Sequence, residues 1–417
     1  MPTYLTPGIY MEEISGGARP IAMVGTSTAA FLGVAPAAGT HLNEPVAVSN
    51  WSQFIREFVD EDSPGTDLAR AVYGFFNNGG SRCFVLNVGQ GNPVAGDERK
   101  RTGIAALETV DEAKIVAAPG YTDIASYEAI ISHCEKMGDR FAILDAPFEI
   151  SRLEALKTVG TAGAGKPAPK KDDKDDKKGA GTPPEGLRPR QTNCAAFYFP
   201  YIMARDPLSS GSIVPTPPAG HLAGVYARTD ATRGVHKAPA NEPIRGALDL
   251  SYKVTRAEQG ALNSAGVNCI RFFPDAGIRI WGARTLAEEA SEWRYISVRR
   301  LFNMVEESIE NGTRWIVFES NDSRTWKAIE RDIWAFLTLV WRSGALKGDT
   351  PDKAFFVKCD DETNPPEIID AGRLVTEIGI APVKPAEFII FRISQWIGGG
   401  PEEEAGGGEA SAEASEG

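Results

Sequence analysis

The chain has 417 residues, 42% of them hydrophobic and 24% charged, and a net charge of −12. That length predicts two or three domains of a folded, water-exposed protein. The acidic balance argues against a nucleic-acid partner, which needs a net basic face. The absence of any run of about 18 apolar residues argues against a membrane span. Half of the net negative charge sits in Pro401–Gly417, which holds six acids and no base. The N-terminus has neither a basic nor an apolar leader segment, which predicts no cleaved secretory signal. Five cysteines, none in a CxxC pair, read as reduced thiols rather than a disulfide framework or zinc site.

Residues 1–20 read as an extended arm, because Pro2, Pro7, Gly8, Gly16, Gly17 and Pro20 exclude a helix. Within it, Ile9, Tyr10, Met11 and Ile14 fit one short strand with no hairpin partner nearby. From about 21 to 158, strands alternate with helices. Strands are predicted at Ile21–Val34, Arg82–Val88, Lys114–Ala118 and Arg140–Asp145, and helices start near Asn50, Thr66, Asp123 and Glu149. Such alternation predicts an α/β layered domain. Residues 160–192 form a Lys/Asp/Pro/Gly insert that cannot bury apolar surface and predicts a solvated loop.

A strand is predicted at Ala195–Ile202, followed by a proline-rich stretch. A second domain is predicted over 244–383. Its strands fall at Val267–Phe273, Gly277–Trp281, Arg314–Phe318 and Ala354–Cys359, and its helices at Ser297–Glu310 and Ser323–Ala345. In the last helix, Trp326, Ile329, Ile333, Phe336, Leu337 and Val340 recur at helical spacing and read as core. The chain closes with Arg373–Ile380 and a strand over 384–397 that is apolar on both faces. Phe388 and Ile390 lie on one face, and Ile389, Phe391 and Ile393 on the other. An acidic tail over 398–417 reads as disordered.

No residue pattern specifies catalysis. Gly160–Pro167 fits GxxxxGK but ends in proline, which offers neither the hydroxyl for Mg²⁺ nor a helix N-terminus. His41, His133, His221 and His236 are scattered, with no HExxH and no metal-ligand spacing. No GxSxG elbow occurs. One arrangement stands out in the Ser297–Glu310 helix. It carries Arg299 and Arg300 in its first turn and Glu306, Glu307 and Glu310 at its end, the reverse of what the helix dipole favours. Either external partners or neighbours within the subunit satisfy these charges.

The residues at both ends resemble a family. Tyr4–Ile14, Arg19-Pro20-Ile21 and Gly25–Gly33 resemble the opening of contractile phage tail sheath proteins. Trp293–Asn303, Glu306–Ile309, Gly344–Gly348, Phe355–Asp360 and Gly379–Ile389 resemble that family's C-terminal domain. The resemblance implies α/β and α+β architecture in several domains: an outer α/β domain over 21–240 and a tube-facing sheath domain over 244–383. It implies extended N- and C-terminal arms that add strands to neighbouring subunits. It further implies a structural role without catalysis or cofactor: stacked hexameric rings around an inner tube protein that contract to drive the tube through a target envelope. Other copies, the tube, and baseplate and cap proteins are the implied partners, with no nucleic acid and no membrane insertion. Assembly is expected in the bacterial cytoplasm, with release in a phage-tail-like particle by lysis. Under this resemblance, Arg299, Arg300, Arg324, Lys327 and Arg331 are candidates to face the tube. Two alternatives stay open: an α/β enzyme with an unrecognised site, and another tail component such as a baseplate protein.

Overall fold

A computed structural model describes residues 20–61, 63–160, 186–209 and 211–390. The chain divides into two compact units, Met1–Lys384 and Pro385–Gly417. In the second, the described residues 385–390 adopt no regular structure, and Phe388, Ile389 and Ile390 are largely exposed. The expected arm residues Ile9, Tyr10, Met11, Ile14, Phe391 and Ile393 lie outside the described residues.

The first unit is organised by an eight-stranded sheet. Its strands are β1 (Ala29–Gly33), β2 (Val46–Val48), β3 (Cys83–Asn87), β4 (Ile115–Ala117), β5 (Phe141–Asp145), β6 (Ala195–Phe199), β10 (Val267–Phe273) and β11 (Gly277–Trp281). The intervening β7 (Ile202–Arg205), β8 (Ile213–Thr216) and β9 (Ala247–Leu250) form a separate three-stranded sheet, and β12 (Phe355–Lys358) pairs with β13 (Glu377–Ile380). The large sheet runs in the order β11-β10-β6-β5-β4-β1-β3-β2, with the middle six strands parallel. β2 and β11 close its two ends antiparallel.

Both faces of these strands are covered, so they are apolar without alternation, as parallel strands must be. On one face Phe31, Val85 and Phe141 meet α1 (Trp51–Phe58), α2 (Asp67–Asn77) and α4 (Ala219–Arg233). On the other, Leu32, Val116 and Phe197 meet α3 (Ile124–Met137) and α5 (Arg256–Ser264). Asn50, Thr66 and Asp123 cap α1, α2 and α3, each side chain accepting from a backbone N–H inside the first turn. A third core is built by α6 (Ile296–Thr313), α7 (Ser323–Arg342) and β12, around Leu301, Val305, Ile333, Phe336 and Leu337.

Four expectations need correction. The boundary near 244 does not divide the sheets: β10 pairs in parallel with β6, so Val267–Trp281 completes the large sheet. Residues 21–28 are not strand, because their polar groups turn to α4 and α6: Val24 N–H donates to Ser308 Oγ and the Thr26 hydroxyl to Asp230. In place of a helix from Glu149 there is only a 3-10 turn, Leu153–Leu156. Arg314–Phe318 is no strand either. Arg314–Ile316 is a 3-10 turn, and Val317 and Phe318 project at 65% and 103% exposure, since no ladder among the described residues reaches them.

Candidate assembly surfaces

The reversed charges of α6 find their partners inside the subunit. Arg300 is 4% exposed, and its two terminal nitrogens donate to Asp230 Oδ1 at 2.9 Å and Oδ2 at 2.6 Å. The same guanidinium donates to the Thr26 carbonyl at 2.9 Å and lies 4.9 Å from the Tyr226 ring centre. Arg299 stacks on Trp293 at 4.6 Å and donates to Asn303 Oδ1 at 2.6 Å and to Glu306 at 2.7 Å. Glu307 pairs with Lys114 Nζ at 2.7 Å, and Lys114 also holds Asp139 at 2.7 Å. Burial raises the Glu307 carboxyl above its ordinary pKa, against the pull of Lys114. These internal pairs offset the unfavourable dipole within the subunit.

Arg324, Lys327 and Arg331 are placed differently. All three are exposed on the side of α7 opposite the third core. Asp322 caps this helix, accepting from the N–H groups of Arg324 and Thr325 at 3.0 and 2.9 Å. Two apolar side chains of α7 also reach the surface, Trp334 at 43% and Leu339 at 51% exposure. Sequence reasoning missed these two. Their signal was present, since both fall off the apolar face set by Trp326, Ile329, Ile333 and Phe336.

The two-stranded sheet offers backbone for pairing. Phe355 packs towards α7, its ring 5.8 Å from Trp334, while Phe356 faces outward at 56% exposure. The Phe356 ring lies over its cross-strand partner Gly379, where an added Cβ would come within 2.1 Å of Phe356 Cε1. Glycine is therefore required for the ring to cover the backbone. Among the described residues no further strand continues this sheet. The large sheet is closed: residues 241–244 bond along β11, and the Gln53 carboxamide bonds Ala47 O and Ser49 N beside β2, both at 3.0 Å.

The cysteines and two of the four histidines, His133 and His221, are buried. All five cysteines are buried and free, and burial pushes Cys194 up to about 11 and Cys269 up to about 12. His133 accepts from Arg140 at 2.7 Å, and burial together with that guanidinium lowers its pKa to about 4. Among the described residues no group of three or more His, Cys, Asp or Glu is placed to hold a metal ion. Apart from Gly160, the GxxxxGK near-match lies outside the described residues. No helix among the described residues is long and apolar enough to cross a membrane.

This architecture defines a multi-layer α/β protein with a separate C-terminal helical core. Two family descriptions match in tandem: phage tail sheath protein central domain over residues 98–286, and phage tail sheath C-terminal domain over 288–395. The chain belongs to the phage tail sheath family. It is 32% identical over 176 residues to the tail sheath protein of Vibrio phage KVP40, and that match takes in 42% of this chain but only 25% of the relative. To the tail sheath protein of Escherichia phage P2 it is 22% identical over 411 residues, covering 92% of this chain and 94% of the relative. Among solved structures it is similar to the PVC sheath complex of an extracellular contractile injection system in its contracted state. There the TM-score is 0.74 at 28% identity, over 95% of this chain and 99% of that one.

Proposed function

We propose that this chain is the structural subunit of a contractile sheath, working by polymerisation and rearrangement rather than by catalysis. The observation that carries this reading is the near end-to-end likeness to a sheath subunit known in its contracted state. In the proposed assembly, copies form stacked hexameric rings around an inner tube, with baseplate and cap proteins at the ends. The terminal arms, residues 1–20 and 384–397, add strands to neighbouring copies, and the β12–β13 sheet is the proposed acceptor. Strand addition supplies backbone hydrogen bonds along the strand and side-chain pockets on alternate positions. Such links hold copies together while the rings change diameter, and contraction is then a rigid-body switch between two packings.

The exposed Arg324, Lys327 and Arg331 are proposed to hold the tube in the extended state. Exposed ion pairs contribute about 0–1 kcal/mol each, weak enough to release. Assembly is proposed in the bacterial cytoplasm, followed by release in a phage-tail-like particle. Negative-stain electron microscopy of the chain produced with its neighbouring genes, beside a variant lacking residues 1–20, tests the reading. Tubes or rings lost on truncation support arm-linked polymerisation; a monomer that never assembles in either form refutes it.

A further inference from the structure

The sheet layers and the C-terminal helices keep separate apolar cores, one set around Phe31 and Leu32 and the other around Leu301 and Phe336. α6 lies between them: its Ile296 packs into the first core, Ile21 and Val235 reach the third, and its polar side chains make directional contacts across the join. Arg300 clasps Asp230 at the end of α4 and the Thr26 carbonyl before β1. Glu307 meets Lys114 before β4, with Lys114 also held by Asp139 and by the Asp111 carbonyl. Asn303 donates to the Arg140 carbonyl at 3.4 Å, and Ser308 accepts from Val24 N–H at 3.1 Å.

The hydrophobic effect is non-directional, so apolar burial by itself carries little angular preference. A bidentate guanidinium–carboxylate pair instead fixes distance and angle together. Burial sharpens the choice, because a partner left unpaired away from water is strongly disfavoured, so intermediate registers are excluded. We infer that the Arg300–Asp230 and Lys114–Glu307 pairs form a polar latch that sets the orientation of α6 and α7 against the large sheet. These four are positioning residues: they set where the exposed face of α7 points. The latch belongs to the single subunit and holds whatever that face meets, so failure of the sheath reading leaves it standing, and the reverse.

Spin labels placed by Arg56→Cys on α1 and Lys327→Cys on α7 report this orientation, since the native cysteines are buried and unreactive to label. In the otherwise unchanged full-length chain, pulsed dipolar spectroscopy is expected to give one narrow distance distribution. Combining Asp230→Asn with Glu307→Gln is expected to broaden it at least twofold while far-UV circular dichroism stays unchanged. The single change Lys114→Met, at the rim of the join, covers the case in which the double variant fails to fold. It is expected to broaden the distribution, and Lys114→Arg to keep it narrow. A distribution equally narrow in folded Lys114→Met or the folded double variant overturns the latch.

Discussion

Arg300 and Asp230 face each other across the join between α6 and α4, at 2.9 and 2.6 Å, with side chains 4% and 5% exposed. The pair sits on the Tyr226 ring, whose hydroxyl meets that of Tyr198 at 2.7 Å. Replacing Arg300 by Met leaves a buried carboxylate that still accepts from the Thr26 hydroxyl but has lost its charge partner. Breaking such a pair from one side costs about 3–5 kcal/mol. Arg300→Lys keeps the charge but gives up the two-pronged geometry and should cost less. Urea denaturation should rank the variants in that order, and equal midpoints would contradict the account.

Three buried groups predict a stability maximum near pH 6.5. Burial lowers His133 and His221 to about 4 and raises Asp145 to about 8. Between about pH 4 and 6.5 the unfolded chain carries protons on both histidines that the folded chain lacks, while folded Asp145 holds one proton that the unfolded chain has lost. The balance is one proton more on the unfolded state, so stability should rise with pH by about 1.4 kcal/mol per unit. Between 6.5 and 8 only Asp145 contributes, with opposite sign, and stability should fall as pH rises. Asp145→Asn should flatten the alkaline limb in thermal melts and steepen the acid limb to about 2.7 kcal/mol per unit, since the two histidines then act unopposed. Its Oδ1 acceptor role towards Ala219 N–H, at 2.8 Å, is preserved by the amide.

Reversing Arg324 and Lys327 together to Glu should leave the isolated subunit within about 0.5 kcal/mol of the parent, because both are exposed, whereas Arg331 is kept because it donates to the buried Asp332 carboxylate at 3.0 Å. Its effect should fall on assembly: particles without a tube, or sheaths contracted before triggering, counted by electron microscopy. Normal tube-filled particles from the reversed protein would count against a tube-facing role for this helix face.

The two ends of the 161–185 segment are pinned together. Gly160 N–H donates to the Arg188 carbonyl at 2.8 Å, and Val159 bridges to Arg188. A Cβ on Gly160 would stand 2.6 Å from the Gly186 carbonyl oxygen. Deleting 161–185 and closing with a short Gly-Ser link should therefore preserve the fold. It should raise stability by at most about 1–2 kcal/mol, through the smaller loop-closure entropy. A large loss of melting temperature would mean that the segment is integral to the fold.

Gly379→Val should push the Phe356 ring off the strand, given the 2.1 Å approach a Cβ would make. The strain falls on the β12–β13 pair, far from the large-sheet cores. Hydrogen exchange should accelerate in residues 355–358 and 377–380 and stay unchanged in β4 and β5.

Local patterns carried much of this fold in the linear chain. The caps Asn50, Thr66 and Asp123 announced their helices because a side-chain acceptor serves backbone N–H groups only a few residues away. The core face of α7 was equally legible, since Trp326, Ile329, Ile333 and Phe336 repeat at the helical period. Arg314–Phe318 misled because its apolar composition suits a strand, whereas a strand also needs a partner with free backbone groups. The assignment of Val267–Trp281 to a second domain failed because pairing with β6 joins residues some seventy positions apart, and no local signal records that register.

By itself, then, the sequence determined the helix starts, the apolar strands, the absence of a recognisable catalytic motif, and, through residues at both ends, the family. Only the tertiary structure decided the fate of the charges. Arg299, Arg300, Arg324, Lys327 and Arg331 are all basic, yet the first two are enclosed by Trp293, Glu306, Tyr226 and Asp230, Arg324 and Lys327 stand exposed, and the exposed Arg331 reaches back to the buried Asp332. The physical reason is that a guanidinium's free energy depends on what surrounds it. Those surroundings come from helices and strands distant in the chain, whereas capping and periodicity are settled within a turn or two.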